Sequence, residues 1–263
     1  MNTDLVIYGD NLSEAWARTV VAVSAAHGKH KAFHVVTRIS DPTAEDARIR
    51  EMADGILAER DMAPISTVAN TLFPHALARR TPDPEALGRR YMDLLPMLQH
   101  LDRENCRGTY FERLVNYETT TGRLNQLAEL IRRLKQELAV RTKSRTGPKS
   151  ARYEVPMEQL SANLPVSEAE HDTNPIGFPC LTLLSFQLDD DQLHVLAHYR
   201  SHYLFQRAYG NYLAVCRLLC YVCGQTGLAP GQVTIVAGYA KVDQHRTGSV
   251  KVLDEYLNTD LLI

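Results

Sequence analysis

The chain has 263 residues, 44% hydrophobic and 23% charged, so it can bury a substantial core and wholesale disorder is excluded. Its 29 Lys and Arg nearly cancel 31 Asp and Glu, and the formal charge of −2 argues against a nucleic-acid coat or a membrane-surface protein. No run approaches ~18 consecutive apolar residues and Met1-Asn2-Thr3-Asp4 opens neither a basic nor an apolar leader, so a cytoplasmic location is expected.

The first expected element is a helix from Asn11 to Ala26. Ser13 is placed as its N-cap, because a hydroxyl there can take an orphan amide of the first turn. A β-like run follows, Phe33 to Ile39. Asp41-Pro42-Thr43 restarts the chain into good helix formers from Ala44 to Glu59. Between Thr81 and Pro96 the prolines are expected to punctuate short helical pieces. From Gly122 to Val140, the residues Leu124, Leu127, Leu130, Ile131, Leu134 and Leu138 form one apolar stripe, the signature of an amphipathic helix. Residues 141–150 are basic and turn-rich, and 168–176 acidic and polar. Both are expected to be mobile surface loops, with a short strand near Arg152 to Val155 between them.

Cys180 to Leu188 reads as a buried strand, Asp189-Asp190-Asp191 as a hairpin turn, and Gln192 to Tyr199 as the returning strand. Tyr212 to Cys223 is apolar all round, which describes a helix in the core, and Gly224 and Gly227 stop it. Gln232 to Ala237 is a further strand. Helices mixed with hairpin-linked strands predict an α+β fold, one domain over residues 1–263, rather than a doubly wound parallel sheet.

Five cysteines, an odd number without a leader segment, read as reduced thiols. Cys180 is the first candidate for chemistry. Phe178-Pro179 fixes the approach to its strand, and the hairpin brings Tyr199-Arg200-Ser201 back near the thiol. Arg200 would favour the thiolate, the nucleophilic form. Arg200 and Ser201 also suit a phosphate monoester, one by forked hydrogen bonds and the other by its hydroxyl. The competing reading of Cys180 is a small buried hydrophobe, which is the commoner case for a thiol taken alone. Cys220-Tyr221-Val222-Cys223 has C-x-x-C spacing, with Cys216 one turn earlier. That helix is too uniformly apolar for a metal site, so buried thiols and no metal are expected. His194 and His198 are expected to be satisfied structural imidazoles.

Pro179-Cys180, then Tyr199-Arg200-Ser201, Gly210-Asn211, Gly231 and Gly238 resemble the thymidylate synthase family, which includes the pyrimidine nucleotide hydroxymethylases. The 20 positions from Cys180 to Arg200 and the 11 from Arg200 to Asn211 fit that family without a gap. The likeness runs from Cys180 to about Asp243. Upstream, Gly108-Thr109-Tyr110-Phe111-Glu112-Arg113 resembles the segment carrying an active-site Tyr, here Tyr110. Ser150-Ala151-Arg152 resembles the arginines that cross to the neighbouring subunit's phosphate. The resemblance implies a thymidylate-synthase-like domain, a large twisted mixed sheet flanked by helices, in a homodimer packed sheet to sheet with shared active sites.

It further implies that Cys180 adds to carbon 6 of a pyrimidine nucleoside monophosphate, and that carbon 5 then attacks a one-carbon unit from 5,10-methylenetetrahydrofolate. Arg200, Ser201 and Arg152 would hold the phosphate, and Asn211 would read the base. An amide accepts from N3–H while donating to a 4-oxo group, so Asn211 suits uracil. Lys241 and Asp243 stand where the family contacts the sugar hydroxyl, and a short carboxylate suits a ribose diol. Other departures are Tyr203 for a pterin-binding Asp, Arg207 for a glycine that leaves room for folate, and Leu181 for a His. The family's catalytic Glu has no secure counterpart, Glu59 being the nearest. The nucleophile and phosphate pocket persist while the sugar and folate pockets are rebuilt. This points to methylation or hydroxymethylation in specialised nucleoside metabolism. The alternatives are the same adduct without folate, or a catalytically inactive nucleotide-binding homodimer.

Overall fold

Asn11 ends a strand and caps a helix, and this double use sets the first corner of the fold. The computed structural model describes residues 5–26, 30–101, 105, 108–141, 149–157, 180–243 and 247–259. In it β1 (Val6–Asn11) runs directly into α1 (Leu12–Ala25), and the Asn11 side chain accepts from the amides of Ser13 and Glu14, each at 3.0 Å. The expectation that Ser13 is the cap is therefore corrected. Ser13 is buried inside the helix, its hydroxyl 2.6 Å from the hydroxyl of Tyr209 and accepting from the Asp46 amide at 2.9 Å. β2 (Lys31–Asp41) follows, and Asp46 caps α2 (Ala47–Ala58).

The helical middle comprises α3 (Ile65–Leu72), α4 (His75–Arg80), α5 (Pro84–Leu101) and α6 (Tyr110–Val115). Pro96 lies inside α5 rather than ending it. The helix buries Leu87, Tyr91 and Leu95, and this anchoring outweighs the hydrogen bond that the proline removes. The apolar stripe also begins later than its pattern implies. Gly122, at φ +136°, turns β3 (Tyr117–Thr119) into β4 (Gly122–Leu124), and α7 (Gln126–Arg141) starts only after this hairpin. Residues 142–148 and 158–179, which hold most of the two expected loops, lie outside the described residues.

β5 (Tyr153–Pro156), β6 (Leu181–Asp189) and β7 (Gln192–Tyr203) lead through a π turn (Leu204–Ala208) into α8 (Tyr209–Thr226), then β8 (Ala229–Lys241) and α9 (Thr247–Thr259). Among the described residues six strands form one mixed sheet in the order β1-β2-β8-β7-β6-β5. The β1/β2 and β7/β8 pairs are parallel and the others antiparallel. One face is buried, with α1 against β1 and β2 and α8 against β7 and β8. On the other face Tyr8, Val36, Arg38, Leu196, His198, Thr234 and Val236 remain partly or fully exposed.

A bend crosses this sheet. Strand side chains ordinarily alternate between faces. In β7 burial passes from Tyr199 to His202, in β8 from Ala237 to Ala240, and in β2 from Val35 to Ala32, each a step of three. These steps are in register: Tyr199 pairs with Ala237 and Ala237 with Val35, while His202 pairs with Ala240 and Ala240 with Ala32. His34, at φ +53°, sits inside the step on β2. Gly238 sits inside it on β8, where a Cβ would lie 3.1 Å from the Arg200 carbonyl oxygen. Such irregularities re-aim side chains. Here Arg200 and Ser201 occupy the bend, and His202 turns into the core.

Candidate active site

Cys180 lies at the mouth of β6, half-buried, and the Arg200 amide donates to its carbonyl at 2.9 Å. The β6/β7 register pairs the next residue, Leu181, with Tyr199. The hairpin thus brings Cys180 and Tyr199-Arg200-Ser201 together, as expected from their spacing. Tyr110 reaches the same point from another element. Thr109 and Glu112 form a reciprocal capping box, with bonds of 3.1 and 3.3 Å, that fixes Tyr110 as the first residue of α6. The Leu181 amide donates to the Tyr110 hydroxyl oxygen at 3.4 Å. Burial, and then the Cys180 thiol, push the Tyr110 phenol up to about 12, while Arg207 draws it down. Tyr110 is therefore a neutral hydroxyl beside the thiol, and Arg207, on the π turn, adds a cation to this neighbourhood.

Asn211 connects through His202, which stacks on Tyr199 with ring centroids 4.2 Å apart and planes within 5°. Asn211 Nδ2 lies 3.0 Å from His202 Nε2. His202 did not stand out in the sequence, and Tyr199 was noted only as the neighbour of Arg200. Alternation along β7 assigns His202 the face of Arg200, and only the bend reverses it. Arg207 was read as an obstruction to folate, and its charge also acts on the Tyr110 phenol.

The remaining candidates lie elsewhere or serve otherwise. Arg152, exposed, precedes the β5 residue that pairs with Phe186 and so lies level with about Gln187. That is seven residues along β6 from Cys180, roughly 20 Å at the rise of a strand, too far to serve its own thiol. Lys241 is exposed opposite Tyr203. Asp243 is buried, and its two carboxylate oxygens accept from the amides of Phe205 and Gln206 at 2.9 and 3.1 Å. It thereby pins the π turn that carries Arg207 and leads to Asn211. The expected contact to a ribose diol is therefore corrected: Asp243 is buried and its carboxylate caps main-chain amides of the turn. Glu59 is exposed at the end of α2, where it forms the C-cap.

No protein-family model matches the chain. Over 75 residues it is 36% identical to a protein of Methanococcoides burtonii named "Putative thymidylate synthase", covering 28% of this chain and 34% of that one. A protein of the same name from Methanosarcina acetivorans is 34% identical over 88 residues, covering 33% and 40%. The matches therefore span only about a third to two fifths of these relatives' length. The relationship is thymidylate-synthase-like and distant.

The expectation of buried thiols on α8 holds at Cys216 and Cys223 but not at Cys220, which is half-buried like Cys180, although burial still pushes its thiol up. Cys216 and Cys223 are buried on α8, and burial pushes Cys216 well up and Cys223 to about 12, so both are protonated. His194 and His198 are satisfied within the sheet: the Gln232 amide donates to His194 Nδ1 at 2.8 Å, and Thr182 Oγ1 lies 2.7 Å from His198 Nδ1. Among the described residues no group of three His, Cys, Asp or Glu is placed to hold a metal, and no helix is long and apolar enough to cross a membrane.

Burial holds the His202 imidazole down to about 3. An unfolded chain binds a proton there near pH 6.5, which the folded chain refuses until about pH 3, so this contribution to stability is complete above that window and falls as pH drops through it. The slope from this group is at most about 1.4 kcal/mol per pH unit. Urea unfolding at pH 7 and pH 5 should show the loss in the wild-type chain, and His202→Phe should remove that part of the pH dependence.

Proposed function

We propose that this protein modifies carbon 5 of a pyrimidine nucleoside monophosphate through a covalent bond from Cys180 to carbon 6, as a one-carbon transferase of the thymidylate synthase type. The observation that carries the reading is the meeting of a half-exposed thiol, the backbone of Arg200-Ser201 and a neutral Tyr110 at the bend of the sheet, with Asn211 joined through Tyr199 and His202. Addition of the thiolate to carbon 6 forms a C–S bond and moves the ring's electron pair to carbon 5 and the 4-oxygen, making carbon 5 nucleophilic. Arg200 and Ser201 bind the phosphate. Asn211 hydrogen-bonds the base edge and stabilises charge on the 4-oxygen. Tyr110, protonated, offers its O–H beside the sulfur. When carbon 5 takes a proton from solvent and the original hydrogen leaves as C–S cleavage restores the double bond, the net result is hydrogen exchange at carbon 5.

Methylenetetrahydrofolate is the carbon donor of this reading, whose setting is specialised nucleoside metabolism, with methyl or hydroxymethyl as the product. A second reading, the same adduct without folate, is favoured by two observations. Arg207 places a cation near Tyr110, and Tyr203, 44% exposed at the end of β7, supplies no carboxylate for a pterin. Hydrogen release from carbon 5 should be measured over a panel of uridine and cytidine monophosphates, with and without methylenetetrahydrofolate. Folate-dependent product supports the first reading and folate-independent exchange alone the second. No release from any nucleotide would overturn both.

The active assembly is a homodimer through the open sheet face, in which Arg152 serves the partner's phosphate. Its distance from its own Cys180 and its exposure support this arrangement. Mixing inactive Cys180→Ser and Arg152→Ala chains should restore activity, since one hybrid site carries neither lesion. Verified heterodimers without activity would contradict the shared site.

A further inference from the structure

A cavity of about 440 Å³ opens on the side of α8 that faces away from the candidate active site. Its α8 wall consists of Leu213, Cys216, Arg217, Cys220, Tyr221 and Gly224. At 3.6 residues per turn, these centre roughly half a turn around the helix from Asn211. Asn211 faces the sheet, where it meets His202 of β7. α8 therefore separates the cavity from the thiol of Cys180, and none of Cys180, Tyr110, Arg200, Arg207 or Asn211 lines it. The volume is that of a small-molecule site.

The floor is apolar and fixed. Leu12, Phe73 and Cys216 are fully buried at its base. Phe73 packs on Tyr221 with ring centroids 5.3 Å apart, and the Tyr221 hydroxyl donates to the Pro82 carbonyl at 2.7 Å. The rim is cationic. Arg79 of α4 is exposed and Arg217 half-buried, and neither makes a hydrogen bond or ion pair among the described residues. Burial, opposed by Glu45 and aided by Arg50, disfavours the Arg217 charge. Burial, then Arg217 and Arg79, drive His75 toward its neutral form. The carboxylates nearby are already engaged. Glu45 accepts from Arg50 at 2.8 Å and from the Tyr209 hydroxyl at 3.1 Å. Asp41 and Asp83, whose charges act on Cys220 and Tyr221, accept from the amides of Thr43 and Ala86 at 2.8 and 2.7 Å. Two guanidiniums thus line one opening with no carboxylate bound to either. A guanidinium's planar fork matches the oxygens of a carboxylate, sulfonate or phosphate.

We propose that this cavity is a second binding site, for a small organic anion whose flat apolar body lies on the Phe73 and Tyr221 floor and whose anionic group meets Arg217 and Arg79. The site is independent of the nucleotide reading given above. Cys220 lines it, so the C-x-x-C spacing marks a cavity wall, and the Cys220 thiol reports whether the cavity is filled.

The test titrates the protein with 1-anilinonaphthalene-8-sulfonate and with its neutral analogue N-phenyl-1-naphthylamine, both read by fluorescence. Arg217→Met keeps most of the apolar stem and removes the charge. Gly224→Leu fills the mouth: a Cβ there meets no atom within 4 Å, and leucine is the better helix former, so folding is not threatened. Wild type should bind one sulfonate per chain, about tenfold or more tighter than the neutral dye, the worth of charge-assisted hydrogen bonds. Arg217→Met should remove that difference, and Gly224→Leu should weaken both dyes. Bound sulfonate should slow alkylation of Cys220 by iodoacetamide and leave Cys180 unchanged, as read by peptide mass. Labelling of the buried Cys216 and Cys223 identifies loosened protein, so dye bound to such protein is recognised and discounted. Equal binding of the two dyes in wild type, sulfonate binding that survives Gly224→Leu, or a Cys220 left unprotected would overturn the site.

Discussion

A Cys180→Ser protein is expected to bind a pyrimidine nucleoside monophosphate within a few-fold of wild type and to release no measurable hydrogen from carbon 5. The hydroxyl keeps the size of the side chain and so leaves the phosphate and base contacts in place. It is a far weaker acid and nucleophile than a thiol, so adduct formation should fall on the order of 10³-fold or more, as it does when other enzymes lose a nucleophile. Cys180 differs from Cys216 and Cys223 in being half-exposed at a strand mouth rather than sealed into a helix. The same replacement at Cys216 should lower stability with little effect on rate, because that thiol is fully buried and protonated. If the Cys180→Ser protein kept near wild-type exchange, the nucleophile would have to be another group.

The second large effect is expected at Gly210, beside Asn211. Two terms oppose each other there. Alanine is the better helix former by about 1 kcal/mol, which would stabilise α8. A Cβ at 210, however, would lie 2.6 Å from Val68 Cβ and 2.9 Å from the Ile65 carbonyl oxygen. Both belong to α3, the first fixed directly to the main chain and the second part of it, so neither can rotate away. Overpacking of this kind costs about 1–3 kcal/mol, and the clash with a backbone atom places Gly210→Ala at the upper end. The net effect is a loss of stability, visible as a lower urea midpoint. α3 and α8 must also separate, which displaces Asn211, so exchange should fall further than the loss of folded protein explains. A stabilised variant with full activity would show that the two helices can part without cost.

Much of this arrangement is legible in the sequence because it depends on local pattern. Cys180 to Leu188, Asp189-Asp190-Asp191 and the returning strand form a hairpin by alternation and turn chemistry alone, and the hairpin brings Cys180 to Arg200. The all-apolar helix after Asn211 declares its burial in the same way. What escaped reading depends on tertiary register. β1 holds Gly9, Asp10 and Asn11, poor strand formers, and is a strand because β2 pairs with it. Pro96 stays helical because its neighbours are anchored in the core. The bend exists only when three strands shift together, so no single strand announces that His202 faces inward. Asp243 looked like a substrate contact by position and is a cap by geometry, since the amides it binds lie 38 and 37 residues away in the chain.

The central claim is that Cys180 forms a bond to the base of a pyrimidine nucleotide. The most direct measurement is the intact mass of the wild-type protein after incubation with 5-fluoro-UMP or 5-fluoro-dUMP, with and without methylenetetrahydrofolate, followed by peptide mapping. Fluorine at carbon 5 activates carbon 6 and leaves no hydrogen there to be lost. A mass increase of one nucleotide per chain without folate, or of one nucleotide plus one methylenetetrahydrofolate with it, carried by the peptide containing Cys180 and absent from Cys180→Ser, is the expected result. An unmodified chain under saturating nucleotide, or an adduct on Cys216, Cys220 or Cys223 instead, would contradict the account.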